Sequence, residues 1–280
     1  MADHLPLEPS TSFVLTDADG RILESRSPRE VYYAASTIKL GVALAVGRHV
    51  HEGSLGLETN FAATRTFRGV DGEPFALSGD HLDDHFPKDG TGLTVTQLLR
   101  VMISRSSNEA TNILLRETGL EAVAEVFHDL GLQATRVERL IGDTAAENRG
   151  LTNETSAADL AHLMRGTVTG IAGNRPPLPS PVTVEIVRAL EAQTVPPIGR
   201  VLAPGVRWGS KSGEVPGYRH DVAFIGTPAA PDCRYLAVCT RGFEEPEADE
   251  SIAAIVRALG LDSIRGPRTR DEIREDRALE

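Results

Sequence analysis

The hydrophobic pattern changes period twice along the chain. Near the start it alternates. Ser12-Phe13-Val14-Leu15-Thr16 and Arg21-Ile22-Leu23-Glu24-Ser25 read as two strands, and Asp17-Ala18-Asp19-Gly20 reads as the turn of a hairpin between them. Over residues 37–50 apolar side chains lie on most sides, which predicts a buried helix beginning near Ser36. Helical spacing continues over residues 94–104 (Val95, Leu98, Leu99, Met102), then 109–117, then 121–130, where Gly131 is the stop. Residues 156–165 and 182–192 are two further helices, the second with Pro181 at its start. Strand character returns over residues 206–215 and 218–225, around the turn Pro216-Gly217, and again over 234–241. Residues 251–259 form a closing helix ended by Gly260, and 265–280 are a charged tail, loose or a solvated helix.

Strands, then helices, then strands and a helix predict an α+β molecule of two lobes. The simplest packing joins the first hairpin to the last three strands in one antiparallel sheet, with the helical middle as the second lobe. We therefore expect a single domain over 1–280, with a sheet lobe from 11–36 and 196–262 and a helical lobe from 37–195. A ligand site is expected in the cleft between the lobes.

Composition narrows the chemistry. The chain has 280 residues, 40% hydrophobic and 25% charged, and a net charge of −11. An acidic surface repels nucleic acid and anionic lipid, so neither is expected as a partner. Met1 to Ser10 hold no apolar run of signal-peptide type and no stretch has membrane-span length, so a cytoplasmic location is expected unless a leader has been removed. Cys233 and Cys239 stand six residues apart in a predicted strand, roughly 20 Å at strand rise, too far to bridge. No Cys/His cluster has zinc spacing, so neither a metal nor a cofactor is expected. His51, His81, His85 and His128 sit among polar neighbours and read as surface residues.

The lysine count is more informative. Of 29 basic residues only Lys39, Lys88 and Lys211 are lysines. An amine can lose its proton and act as a base, whereas a guanidinium cannot. Two of the three lysines lie in short motifs: Ser36-Thr37-Ile38-Lys39, the chain's one S-x-x-K, and Lys211-Ser212-Gly213, in a strand before a tight turn. Between them, at a helix junction, stands Ser106-Ser107-Asn108. In a helix Lys39 lies one turn after Ser36 on the same face, within reach of its hydroxyl. A neutral amine there would activate the hydroxyl, and Lys211 would supply the nearby cation that lowers the amine's pKa. The bland alternatives are an N-cap for Ser36 and a surface position for Lys39. The apolar run Leu40, Val42, Ala43, Leu44, Ala45 argues against the second.

This ordered set resembles the class A β-lactamases and their penicillin-binding relatives, whose motifs are S-x-x-K, S-D-N and K-T-G. The resemblance spans Phe13 to Leu259. It includes Thr135-Arg136-Val137-Glu138-Arg139, similar to the entry of that family's Ω-loop. It implies an acyl-enzyme hydrolase with Ser36 as nucleophile and Lys39 as its base. Ser106 would relay a proton to the leaving group, with Lys211 beside it. Asn108 would hold a substrate amide, and Ser212 and Arg219 a substrate carboxylate. Ser36 and the segment after Gly213, at Val215 or Glu214, would donate oxyanion-hole N–H groups.

The sequence departs from the family in two places. Ser107 stands where Asp is usual. After Arg139 the chain reads Leu140-Ile141-Gly142-Asp143-Thr144-Ala145-Ala146-Glu147-Asn148, with no E-x-x-L-N to supply the deacylating Glu. Asp143 and Glu147 are the carboxylates that could replace it. The expectation is therefore efficient acylation on a small-molecule substrate with weak β-lactam turnover. Alternatives are a cytoplasmic esterase or amidase, an acylated sensor, or a serine-dependent glutaminase.

Overall fold

The computed structural model describes residues 8–263 apart from 172, 174 and 175. The charged tail expected over 265–280 lies outside the described residues. Strands β1 (Ser10–Thr16) and β2 (Ile22–Arg26) form the expected hairpin. The short β3 (Tyr32–Tyr33) leads into a 3₁₀ turn, Ala35–Ile38, and then helix α1 (Lys39–His51). Four short strands follow: β4 (Asn60–Ala62), β5 (Thr66–Arg68), β6 (Pro74–Ala76) and β7 (Gly92–Thr94). Helix α2 (Val95–Ser104) starts on a capping box, in which Thr94 accepts from the Gln97 N–H and Gln97 accepts from the Thr94 N–H. Then come α3 (Asn108–Thr118), α4 (Leu120–Asp129), β8 (Arg136–Val137), α5 (Thr144–Asn148), β9 (Asn153–Thr155), α6 (Ala157–Thr169) and α7 (Ser180–Glu191). The chain closes with β10 (Trp208–Val215), β11 (Tyr218–Ile225), β12 (Arg234–Arg241) and α8 (Glu245–Ala258).

The main sheet has the order β10-β11-β12-β1-β2, antiparallel at every pairing, so the last three strands join the first hairpin as expected. Its two faces bury separate apolar clusters. One holds Val222, Phe224 and Ala237 with the helices of the middle region; the other holds Ala223, Ile225 and Val238 with Ile252 and Val256 of α8. Alternation along β11 thus feeds both cores. No helix among the described residues is long and apolar enough to cross a membrane. Both cysteines are free and buried.

Three differences from the sequence reading stand out. The helix expected from 37 begins as a 3₁₀ turn, Ala35–Ile38, which the chain enters through Ala35 at φ +47°. Helix α8 starts six residues before the expected 251, where Pro246 and two glutamates make a favourable first turn. The short strands β3, β8 and β9 form a small sheet of their own, which runs of two or three residues cannot signal.

Candidate active site

Ser36 is held at the edge of the sheet by its neighbours. Ala34 donates its N–H to Asn153 O at 2.9 Å, and the Thr37 N–H and hydroxyl both return to Ala34 O. Strand β10 passes so close to this turn that a Cβ on Gly213 would lie 2.9 Å from Ser36 N and 3.0 Å from Thr37 N. Glycine at 213 is therefore required for the strand to lie against the N–H groups of the nucleophile turn. The expected meeting of Ser36 with the K-S-G strand has this physical basis.

Lys39 is fully buried beneath Ser36. Its Nζ lies 2.8 Å from Ser36 Oγ, 3.0 Å from Ser106 Oγ, and 2.7 Å from both Ser106 O and Asn108 Oδ1. The last two are pure acceptors and take two N–H bonds. A neutral amine then has its lone pair left for a hydroxyl proton. The Asn108 amide is oriented unambiguously, because its Nδ2 donates to His81 O at 3.1 Å. Burial, and then the charge of Lys211, push the Lys39 amine well below the usual lysine range, against the pull of Glu109 and Asp83.

Lys211 is also fully buried. It donates to Ser212 O at 2.7 Å and to Ser106 Oγ at 3.1 Å. Burial lowers its pKa to about 7, opposed by Asp221 and Glu214. Ser106 itself sits at φ +62°, a left-handed conformation costly for a residue with a Cβ. Its neighbours hold it there. Ser107 caps α3 by accepting from the Ala110 N–H and donates to Glu109 Oε2 at 2.8 Å, while Glu109 Oε1 accepts from the Asp83 N–H at 3.0 Å. Buried Glu109 is thus the carboxylate that ties this junction to Asp83.

The cleft over Ser36 has a volume of about 590 Å³. It is lined on one side by Ser36, Asn108 and Ile141 and on the other by Glu214, Val215 and Arg219. A smaller adjoining hollow adds Ser106, Ser212 and Gly213. A larger groove of about 1010 Å³ lies elsewhere, along Val14, Ile22 and His162, and is lined by none of the motif residues.

Two of the expected site residues lie away from the cleft, and a third is engaged by acids of its own. Asp143 is buried, with one carboxylate oxygen accepting from the Ala146 N–H and the other from the Val70 N–H, so it caps α5 and ties down a neighbouring loop. The Glu147 side chain is 63% exposed and faces Arg139 at 3.8 Å. Neither lines the cleft. Arg219 does line it, and its guanidinium is engaged by Glu214, Glu245 and Asp249.

Two further residues escaped the sequence reading. Asn112 on α3 clasps the backbone of Ile141, donating to its carbonyl at 2.8 Å and accepting its N–H at 3.0 Å. This fixes the backbone of a residue that lines the cleft. Buried His220 accepts the Thr240 N–H at Nδ1 and therefore donates from Nε2 to Tyr33 O at 2.8 Å. Burial holds it neutral, with a pKa of about 4, and it fixes the cleft-lining Tyr33 and Tyr218 through backbone and ring contacts. An Asn one helical turn after Asn108 was the available signal for the first; nothing local signals the second.

The β-lactamase enzyme family model matches residues 8–261. No curated protein matches the sequence. Among solved structures, a β-lactamase from Sphaerobacter thermophilus is similar, with 27% identity, a TM-score of 0.74, and coverage of 93% of this chain and 94% of that one. A β-lactamase from Xanthomonas campestris pv. campestris shares the fold at 20% identity and TM-score 0.71, covering 90% of this chain and 92% of that one. So does PBP-A at 21% and 0.71, covering 90% and 88%. A point variant of PBP-A is known as an acyl-enzyme complex with penicillin G.

Proposed function

Because this chain belongs to the β-lactamase enzyme family, we propose that it hydrolyses small amides or esters through an acyl-enzyme on Ser36, and that β-lactams acylate it faster than they are released. The observation carrying this reading is the 2.8 Å approach of the depressed Lys39 amine to Ser36 Oγ. Ser36 gives its proton to Lys39 as its oxygen attacks the carbonyl carbon. The carbonyl oxygen becomes an oxyanion, held by the Ser36 N–H and an N–H of the Glu214–Val215 segment. The proton passes from Lys39 through Ser106 to the leaving nitrogen or oxygen, with Lys211 stabilising the relay. The C–N or C–O bond then breaks and leaves the acyl ester on Ser36.

Release requires water and a base in hydrogen-bond reach. The loop wall presents Ile141, and the two candidate carboxylates lie elsewhere. A missing positioned base costs about 10²–10⁴-fold. A bulky opened β-lactam also shields its own ester, whereas a small acyl group leaves room for Lys39 to activate water.

Intact-protein mass followed over time after penicillin addition tests this. One adduct, on the Ser36 peptide and persisting for minutes or longer, is expected, with chromogenic esters turning over. An adduct that survives Ser36→Ala defeats the nucleophile assignment. Fast steady-state penicillin hydrolysis defeats the slow-release assignment.

A further inference from the structure

Resting on the hydrolase reading above, we infer that Glu109 is a positioning residue for acyl transfer: its buried carboxylate joins the Ser106–Asn108 junction to the Asp80–Asp83 wall of the cleft and supplies negative charge to the surroundings of Lys39. Glu109 lies in the first turn of α3, a position where an acid helps a helix electrostatically even when exposed, yet here it is fully buried. A carboxylate is costly to bury unless its oxygens are bonded. Each oxygen serves a different segment. Oε2 accepts from the Ser107 hydroxyl at 2.8 Å, and Oε1 accepts from the Asp83 N–H at 3.0 Å.

Both segments carry atoms of the site. Ser107 stands between Ser106 and Asn108, and Ser106 O, Ser106 Oγ and Asn108 Oδ1 all meet Lys39 Nζ. Asp80 and His81 line the cleft, Leu82 and Asp83 the adjoining hollow, and His81 O accepts from Asn108 Nδ2. One carboxylate thus spans the turn that presents the partners of the base and the loop that walls the substrate. Its charge acts on the amine as well. Glu109, and then Asp83, favour the ammonium form of Lys39, against burial and Lys211. The other charged groups around this pair are Arg65, 4.0 Å from Glu109 and bonded to Asp89; Arg105, bonded to Asp83; and His85, 3.9 Å from Asp83. The carboxylates that act on Lys211 are instead Asp221 and Glu214. Reach and charge can therefore be tested apart.

The test follows single-turnover acylation of Ser36 in the full chain by a chromogenic cephalosporin, as a function of pH. Glu109→Gln keeps the length and both bonding partners and removes the charge. Its acid limb should move to lower pH, so that on that limb its rate relative to its own plateau rises by about threefold or more, while the alkaline limb stays in place. Glu109→Asp keeps the charge and loses one methylene of reach. Its acid limb should stay, while its plateau falls by about tenfold or more, since a misplacement of about 1 Å can cost about 10²-fold. Ser107→Ala cuts the same tie from its other end and should lower the plateau likewise, which keeps the assignment testable should a Glu109 variant not fold. An acid limb unmoved in Glu109→Gln, or a full plateau rate in both Glu109→Asp and Ser107→Ala, overturns the assignment and leaves Ser36 as the nucleophile. An unsubstituted chain in which neither penicillin nor ester labels Ser36 overturns the hydrolase reading itself.

Discussion

Lys39 and Lys211 arise from separate parts of the fold and meet at one atom, Ser106 Oγ, 3.0 Å from the first Nζ and 3.1 Å from the second. Two ammonium groups cannot comfortably share a buried hydroxyl. Burial, and then the charge of Lys211, lower the Lys39 pKa, so the two separate into a base and a cation.

The division of labour predicts the effect of conservative exchange. Lys39→Arg keeps the charge and removes the base. Acylation should fall by at least about 10²-fold, the usual worth of a positioned base, while exposed Lys88→Arg leaves it unchanged. Stopped-flow acylation with a chromogenic cephalosporin reads both, and a normal rate for Lys39→Arg would show that this amine is not the base.

A pH profile follows with defined signs. Lys39 acts without its proton, so activity rises with pH through its lowered pKa. Lys211 acts with its proton, so activity falls above about pH 7 as that proton leaves. The kcat/KM for a neutral ester should therefore be bell-shaped, the two limbs belonging to the coupled pair. A rate still climbing at pH 9, an alkalinity chosen to lie about two units above that point, would remove Lys211 from the relay as a cation.

The loop wall can be altered directly. Asn112 fixes the Ile141 backbone beside the cleft, so Ile141→Glu adds a carboxylate to the cleft lining that holds Ser36. The lifetime of the penicilloyl adduct should shorten by about tenfold or more, within the range of general-base effects. Asp143→Asn and Glu147→Gln should change ester turnover little. Asp143→Ala should instead cost about 1–2 kcal/mol of stability through its lost cap, read by urea unfolding.

How much of this was legible in the sequence depends on the range of each contact. Ser36 and Lys39 were readable because one helical turn joins them. The hairpin and the three late strands were readable because each carries its own alternation. The acid shell of Arg219 was hidden, since Asp249 comes 30 residues later on a helix whose start was placed at 251. The role of Ile141 was hidden likewise, because the Asn112 clasp spans 29 residues. The left-handed backbone at Ala35 had no signal, because alanine is a poor marker for positive φ.

That backbone carries its own prediction. Ala35 at φ +47° is strained by its Cβ, and glycine removes the strain at some entropic cost. Ala35→Gly should stabilise the chain by about 0.5–1 kcal/mol, read by thermal unfolding. Acylation should slow, because the turn presenting Ser36 gains freedom. Unchanged stability together with unchanged acylation would mean that the turn is not held by strain at 35.

The distribution of amines also shapes what the protein's outside does in the presence of acylating compounds. Lys39 and Lys211 are enclosed, and Lys88 is the one lysine exposed, while the remaining 26 basic residues are arginines, too basic to be nucleophiles at neutral pH. A reactive ester or strained lactam in solution therefore meets a shell with a single side-chain amine to scavenge it. Among the lysines, stray acylation is confined to Lys88.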